Sequence, residues 1–176
     1  MNEIRLALGL AVLRGSVYAM GGRDDDQIHR TAERYDCKAN QWSWIAPMNT
    51  KRYGGGAAVL NDKIYVAGGS NIENFLNSVE VYDPDTDQWT FVAPMLSGRD
   101  YFSFVEFHGC LYALGGGLLS SEQYDPAEDT WIEIPDMDSY SSCAEVMDDM
   151  IFVIYDYFNQ NDFYPHVICF NGKENR

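Results

Sequence analysis

The sequence predicts an all-β fold assembled from one four-stranded unit used repeatedly, and three observations carry that expectation. The phrases VYAMGG, IYVAGG and LYALGG start at Val17, Ile64 and Leu111, with 47 residues between successive starts. Tyr35-Asp36 returns as Tyr82-Asp83 and Tyr124-Asp125, while Trp42 returns as Trp89 and Trp131. Between these landmarks, short runs rich in Val, Ile, Tyr, Phe and Trp alternate with Gly, Pro, Asn and Asp turns, and no apolar run holds a helical period.

Each unit reads in the same order. In the second, GGAAVL is the first strand, and Gly54, Gly55 and Gly56 suit a crowded central axis. NDK turns the chain into IYVAGG, a polar loop leads to SVEVYD, and PDTDQ turns into WTFVAPM. Four antiparallel strands per unit, repeated, make the blade of a β-propeller. With the first strand innermost, the loop after the second strand and the connection into the next blade share one rim. The blades fall at about 1–48, 49–95, 96–137 and 138–176, the last incomplete. The third unit is five residues shorter, a loss placed in a surface loop between its glycines and its Tyr-Asp. In the fourth, IFVIYD from Ile151 puts Tyr155-Asp156 where the glycine pair belongs, and Arg176 falls one place before the expected Trp. That reads as a partial propeller, an open arc of three full blades and part of a fourth. Its last unit is either a degenerate cap or a piece of a larger ring, and the missing Trp strand favours the piece.

The 176 residues carry a formal net charge of −15, which argues against nucleic acid or an anionic membrane as partner. The charge is uneven: residues 1–117 hold 14 acidic and 10 basic side chains, residues 118–176 hold 13 and two. The early LALGLAVL run aligns with YGGGAAVL one period later, so the repeat explains it better than a signal segment does. Cys37, Cys110, Cys143 and Cys169 form no C-x-x-C pair and suit reduced thiols in the cytoplasm. His29, His108 and His166 fall at unrelated blade positions, so no metal or other cofactor is expected. Nucleophile elbows, zinc-binding helix motifs and phosphate loops are absent from the sequence, and the chain reads as a non-enzyme.

The glycine pairs Gly21-Gly22, Gly68-Gly69 and Gly115-Gly116, with Tyr35, Tyr82 and Tyr124 and then Trp42, Trp89 and Trp131, resemble the kelch repeat over nearly the whole chain. AERYDCKANQWSWIAPM and VEVYDPDTDQWTFVAPM look most like the Kelch-like (BTB–BACK–kelch) family, which includes the ring-canal kelch proteins. On that resemblance the glycines and aromatics are scaffold, and the rim binds a substrate protein or peptide. The partner-binding candidates are Arg5, Arg23, Asp25, Arg52, Tyr53, Ser70, Asn71, Arg99, Tyr101 and Gly117. Arginine forks suit carboxylates, and arginine beside aromatics is typical of binding hot spots, so an arginine-bearing pocket over the channel mouth is expected. The competing reading pairs these arginines with neighbouring acids. Ser141 stands where the fourth unit should carry its arginine. The resemblance implies the substrate-recognition part of a cullin-RING ubiquitin ligase adaptor. A cullin would be reached only through a BTB segment, which this sequence does not contain. An actin-binding scaffold is the alternative, and a kelch-type oxidase or hydrolase a remote one.

Overall fold

The computed structural model describes residues 1–117, 120–134, 142–159 and 162–171, with backbone alone at 142, 155–159, 162–166 and 170. The expectations placed on Ser141 and Arg176, and on the His166 side chain, lie outside what is described. Three four-stranded antiparallel sheets follow one another in chain order. The first holds β1 (Gly9–Leu13), β2 (Ser16–Met20), β3 (Ala32–Asp36) and β4 (Gln41–Ile45). The second holds β5 (Gly56–Leu60), β6 (Lys63–Ala67), β7 (Val79–Asp83) and β8 (Gln88–Val92). The third holds β9 (Ser103–Phe107), β10 (Cys110–Leu114), β11 (Ser121–Asp125) and β12 (Thr130–Ile134). A last sheet of three strands holds β13 (Ser142–Met147), β14 (Met150–Asn159) and β15 (Asp162–Phe170). This is the partial all-β propeller that the repeat predicts.

The first strands β1, β5, β9 and β13 lie side by side at the axis, and β4, β8 and β12 form the largely exposed outer edges. The core lies in the seams between sheets rather than within any one of them. Ala11, Leu13, Tyr18 and Met20 of the first blade close on Ile64, Val66, Tyr82 and Trp89 of the second. Ala58, Leu60, Tyr65 and Val81 then meet Phe104, Leu111, Tyr124 and Trp131. The third seam sets Phe107, Tyr112 and Leu114 against Ala144, Ile151 and Val153.

Each tryptophan at a seam also has a polar task. Trp89 Nε1 donates to the Ala46 carbonyl at 2.8 Å, and Trp131 Nε1 donates to that of Ala93 at 2.9 Å. The same two alanine amides donate to Asp87 and Asp129, whose carboxylates also accept from the Tyr82 and Tyr124 hydroxyls. One Tyr-Asp-Trp set thus grips the preceding blade by both its packing and its backbone. The repeated Asp after each tyrosine has a local cause: Asp36, Asp83 and Asp125 accept backbone N–H bonds from the turns that follow them.

Glycine is required where one blade's loop meets the next. Gly68 has φ 60°, and a Cβ there would stand 2.5 Å from the Arg99 carbonyl oxygen. Gly69, at φ 89°, donates its N–H to that same carbonyl at 2.9 Å. At the axis, a Cβ on Gly56 would lie 2.3 Å from the Cβ of Phe104.

Candidate functional site

The rim is built where the loop between the second and third strands meets the connection entering each first strand. Backbone pairs join the two: Leu6 with Arg23, and Tyr53 with Ser70. Main-chain bonds also run from blade to blade, Gly54 N–H to the Ala7 carbonyl at 2.7 Å and Tyr101 N–H to that of Gly54 at 2.8 Å. Ala7, Gly54 and Tyr101 share the left-handed conformation that this ring of bonds demands, at φ 51°, 65° and 48°. A tyrosine held there is uncommon, and Tyr101 is 57% exposed.

Of the expected partner-binding residues, Arg5, Arg52 and Arg99 do not reach the rim surface, so the pocket expected from Arg23, Arg52, Ser70 and Arg99 does not form as such. All three are buried beneath the rim. Arg52 Nη2 meets Glu80 Oε1 at 2.9 Å, while Nη1 donates to the Gly68 and Ser78 carbonyls at 2.5 and 3.1 Å. Arg99 repeats the arrangement on Glu122 and the Gly115 and Ser120 carbonyls, and Arg5 repeats it on Glu33 and the Gly21 and Thr31 carbonyls. The glutamates hold the opening of their own unit too: Asn49 N–H donates to Glu80 at 2.6 Å and Leu96 N–H to Glu122 at 2.6 Å. The physical reason is clear. The glycine-pair turn leaves carbonyls pointing inward, and a guanidinium is the donor that satisfies several at once. Burial pushes the Arg52 guanidinium below its ordinary value, and Glu80 opposes that. The glutamate stands two residues before the repeated tyrosine in every full unit. That spacing was legible in the sequence and identifies the buried partner.

Other candidates do converge. Arg23 is exposed, and its guanidinium lies 5.2 Å over the ring of Tyr53. Tyr53 in turn meets Tyr101 edge-on, with centroids 6.3 Å apart. Arg23, Asp25 and Tyr53 line one small cleft with Asp24, Asp26 and Ile72. Asn71 lines a neighbouring groove of about 540 Å³, between the loops of the first two blades. Asp26, Ile28, Lys51, Ile72 and Glu73 are among the other residues that line that groove. Ser70 is buried and serves the loop by donating from Oγ to the Asn74 carbonyl at 3.4 Å. Gly117 is exposed at φ 76°, and a Cβ added there would stand in open space.

Ile72 and Phe75 are the residues that sequence reading missed. They are 85% and 65% exposed, in the polar loop of the second blade, and Ile72 has φ 70°. A β-branched side chain in that conformation is an outlier. Ile72, Phe75 and Leu76, three large apolar side chains inside the otherwise polar SNIENFLN, were the available signal. Asp24 shapes the adjoining loop: its Oδ1 accepts the Asp26 and Gln27 amides, which hold its carboxyl below the usual range. His29 is buried between Asp24 and Glu3, at 3.2 and 3.5 Å. Among the described residues, no three His, Cys, Asp or Glu side chains gather to hold a metal.

The Kelch motif profile matches residues 4–49 and 51–96, the first two blades. Over 52 residues the chain is 42% identical to the influenza virus NS1A-binding protein homolog of Xenopus laevis, 40% to the mouse homolog and 38% to the human protein. Those stretches cover 30% of this chain and 8% of each relative. Profile, seams and glycine geometry agree, and the chain belongs to the kelch-repeat family.

Proposed function

We propose that the rim of this propeller binds a protein segment, as the substrate-recognition part of a cullin-RING ubiquitin ligase adaptor. One observation carries the binding: Arg23, Tyr53, Tyr101, Ile72 and Phe75 crowd one rim, two of them in left-handed backbone, while the buried polar side chains beneath serve the scaffold. Exposed aromatics with arginine, beside a groove, are the composition of a binding hot spot. Kelch fold and relatives alike point to binding rather than catalysis. The adaptor role rests on the resemblance of the repeat to the Kelch-like family. Four free thiols support a cytoplasmic setting.

The test pairs the wild-type chain with Arg23→Ala/Tyr53→Ala, whose substitutions leave the main-chain bonds of the rim intact. Partners captured from cytosol should bind the variant roughly 30-fold more weakly, the ~2 kcal/mol of a hot spot. Equal binding would remove the rim from the account. Placed behind a BTB–BACK segment, the chain should direct cullin-dependent ubiquitin transfer to those partners. Partners captured but never ubiquitinated would reject the adaptor role, and co-sedimentation with filamentous actin would replace it with a scaffold.

A further inference from the structure

The loops that follow the second strands of the first two blades are one repeat apart and built alike. Asp24 Oδ1 accepts the Gln27 amide at 2.8 Å, and one repeat later Asn71 Oδ1 accepts the Asn74 amide at 3.1 Å. Each turn is closed again through the main chain, Asp24 N–H to the Gln27 carbonyl and Asn71 N–H to that of Asn74, at 3.0 and 3.3 Å. Matching bridges, Arg23 to Ile28 and Ser70 to Phe75, shut the base of each loop. Equivalent places in the two turns therefore hold Asp26 and Glu73, one carboxylate per blade. The third blade breaks the series, because its unit is five residues shorter there.

Asp26 and Glu73 line the same groove of about 540 Å³, together with Ile28 and the exposed Ile72. Asp26, Ile28 and Ile72 also line the smaller cleft, of about 140 Å³, with Asp25 and Tyr53, so the two spaces adjoin. The walls belong to two blades that pack on each other, so the groove is not an end face of the arc. Elsewhere on the surface acids are matched: Asp62 and Asp85 take Arg14, and Asp83 takes Lys63. Among the described residues, Asp25, Asp26 and Glu73 have no such cation. Lys51 is the one cation lining the larger groove. The chain's net charge of −15 adds its field to that of the three carboxylates.

We infer that the adjoining clefts take a basic partner segment, one in which lysine or arginine flanks an apolar side chain. One cation pairs with Asp26 and another with Glu73, while the apolar side chain between them packs on Ile28 and Ile72. Charge complementarity of this kind decides which partner is admitted, and turns already closed by their own hydrogen bonds lose little freedom on binding. The inference rests on the reading of the rim as a surface for a protein segment, and adds the chemistry of that segment.

Fluorescence anisotropy of the full chain with three labelled peptide pools tests it. The pools share an apolar core of leucine and phenylalanine and differ in their flanks: lysine and arginine, serine, or aspartate and glutamate. The basic pool should bind roughly 10-fold tighter than either other pool, and should weaken as salt rises from about 50 to about 300 mM. Asp26→Asn/Glu73→Gln changes two exposed side chains, so circular dichroism should match wild type while basic-pool binding falls roughly 10-fold. Lys51→Gln should strengthen it. Glu128→Gln/Asp148→Asn removes the same charge from exposed turns on the opposite face and should leave binding unchanged. Unchanged binding by the groove variant, or equal loss in both double variants, overturns the inference, the latter marking attraction to net charge alone. So does weaker binding by Lys51→Gln, a preference for the acidic pool, or binding of no pool. The rim reading fails by a different result, captured partners that bind Arg23→Ala/Tyr53→Ala as well as wild type.

Discussion

Arg52 and Glu80 show how little the residue type alone reveals about a role. An arginine at the start of a blade has the chemistry to recognise a carboxylate, and here the carboxylate is its own. Removing one partner strands the other in a buried site, so Arg52→Ala should cost about 3–5 kcal/mol in urea denaturation. Arg23→Ala, at the exposed rim, should stay within roughly 0.5 kcal/mol of wild type. Asp100 gives a pH prediction. Burial raises its carboxyl above the ordinary value. As pH rises the unfolded chain gives up this proton before the folded one, so ionisation penalises the fold at neutral pH. Asp100→Asn should therefore raise the melting temperature near pH 7, and the advantage should vanish near pH 3, where both states are protonated.

Strands, turns and seams follow different rules. Trp89 fills a seam and holds Ala46, so Trp89→Ala should cost about 3–5 kcal/mol by equilibrium denaturation, and Trp42→Ala, at a half-buried position, less than half as much. Gly68→Ala combines left-handed strain with a clash on the Arg99 carbonyl and should cost about 3 kcal/mol or more. Gly109 has φ 77° and no heavy atom within 4 Å of an added Cβ, so Gly109→Ala should cost only about 1–2 kcal/mol. The strands, their order and the glycine turns were legible in the sequence because a strict repeat fixes them. The face shared by the two loop classes was legible too, from strand direction alone. What a side chain does on that face was not. Arg23, Arg52 and Arg99 all read as rim cations, yet only a folded chain shows that the glycine-pair carbonyls point inward and draw two of them down. Ile72 and Phe75 were hidden because apolar residues in a loop have no period to betray them.

Across the whole molecule, stability resides between sheets, so every blade depends on its neighbours. On the face opposite the rim, Arg14 of the first blade reaches Asp62 and Asp85 of the second. That bridge is exposed, and salt screens it. The rim is held in another way. Ala7, Gly54 and Tyr101 are joined by amide and carbonyl, groups that every residue but proline possesses in full. Change the side chains at 6, 53 and 100 and the hoop keeps its shape, while whatever touches it meets a new surface. Such a face can be rewritten for a different partner without renegotiating the fold.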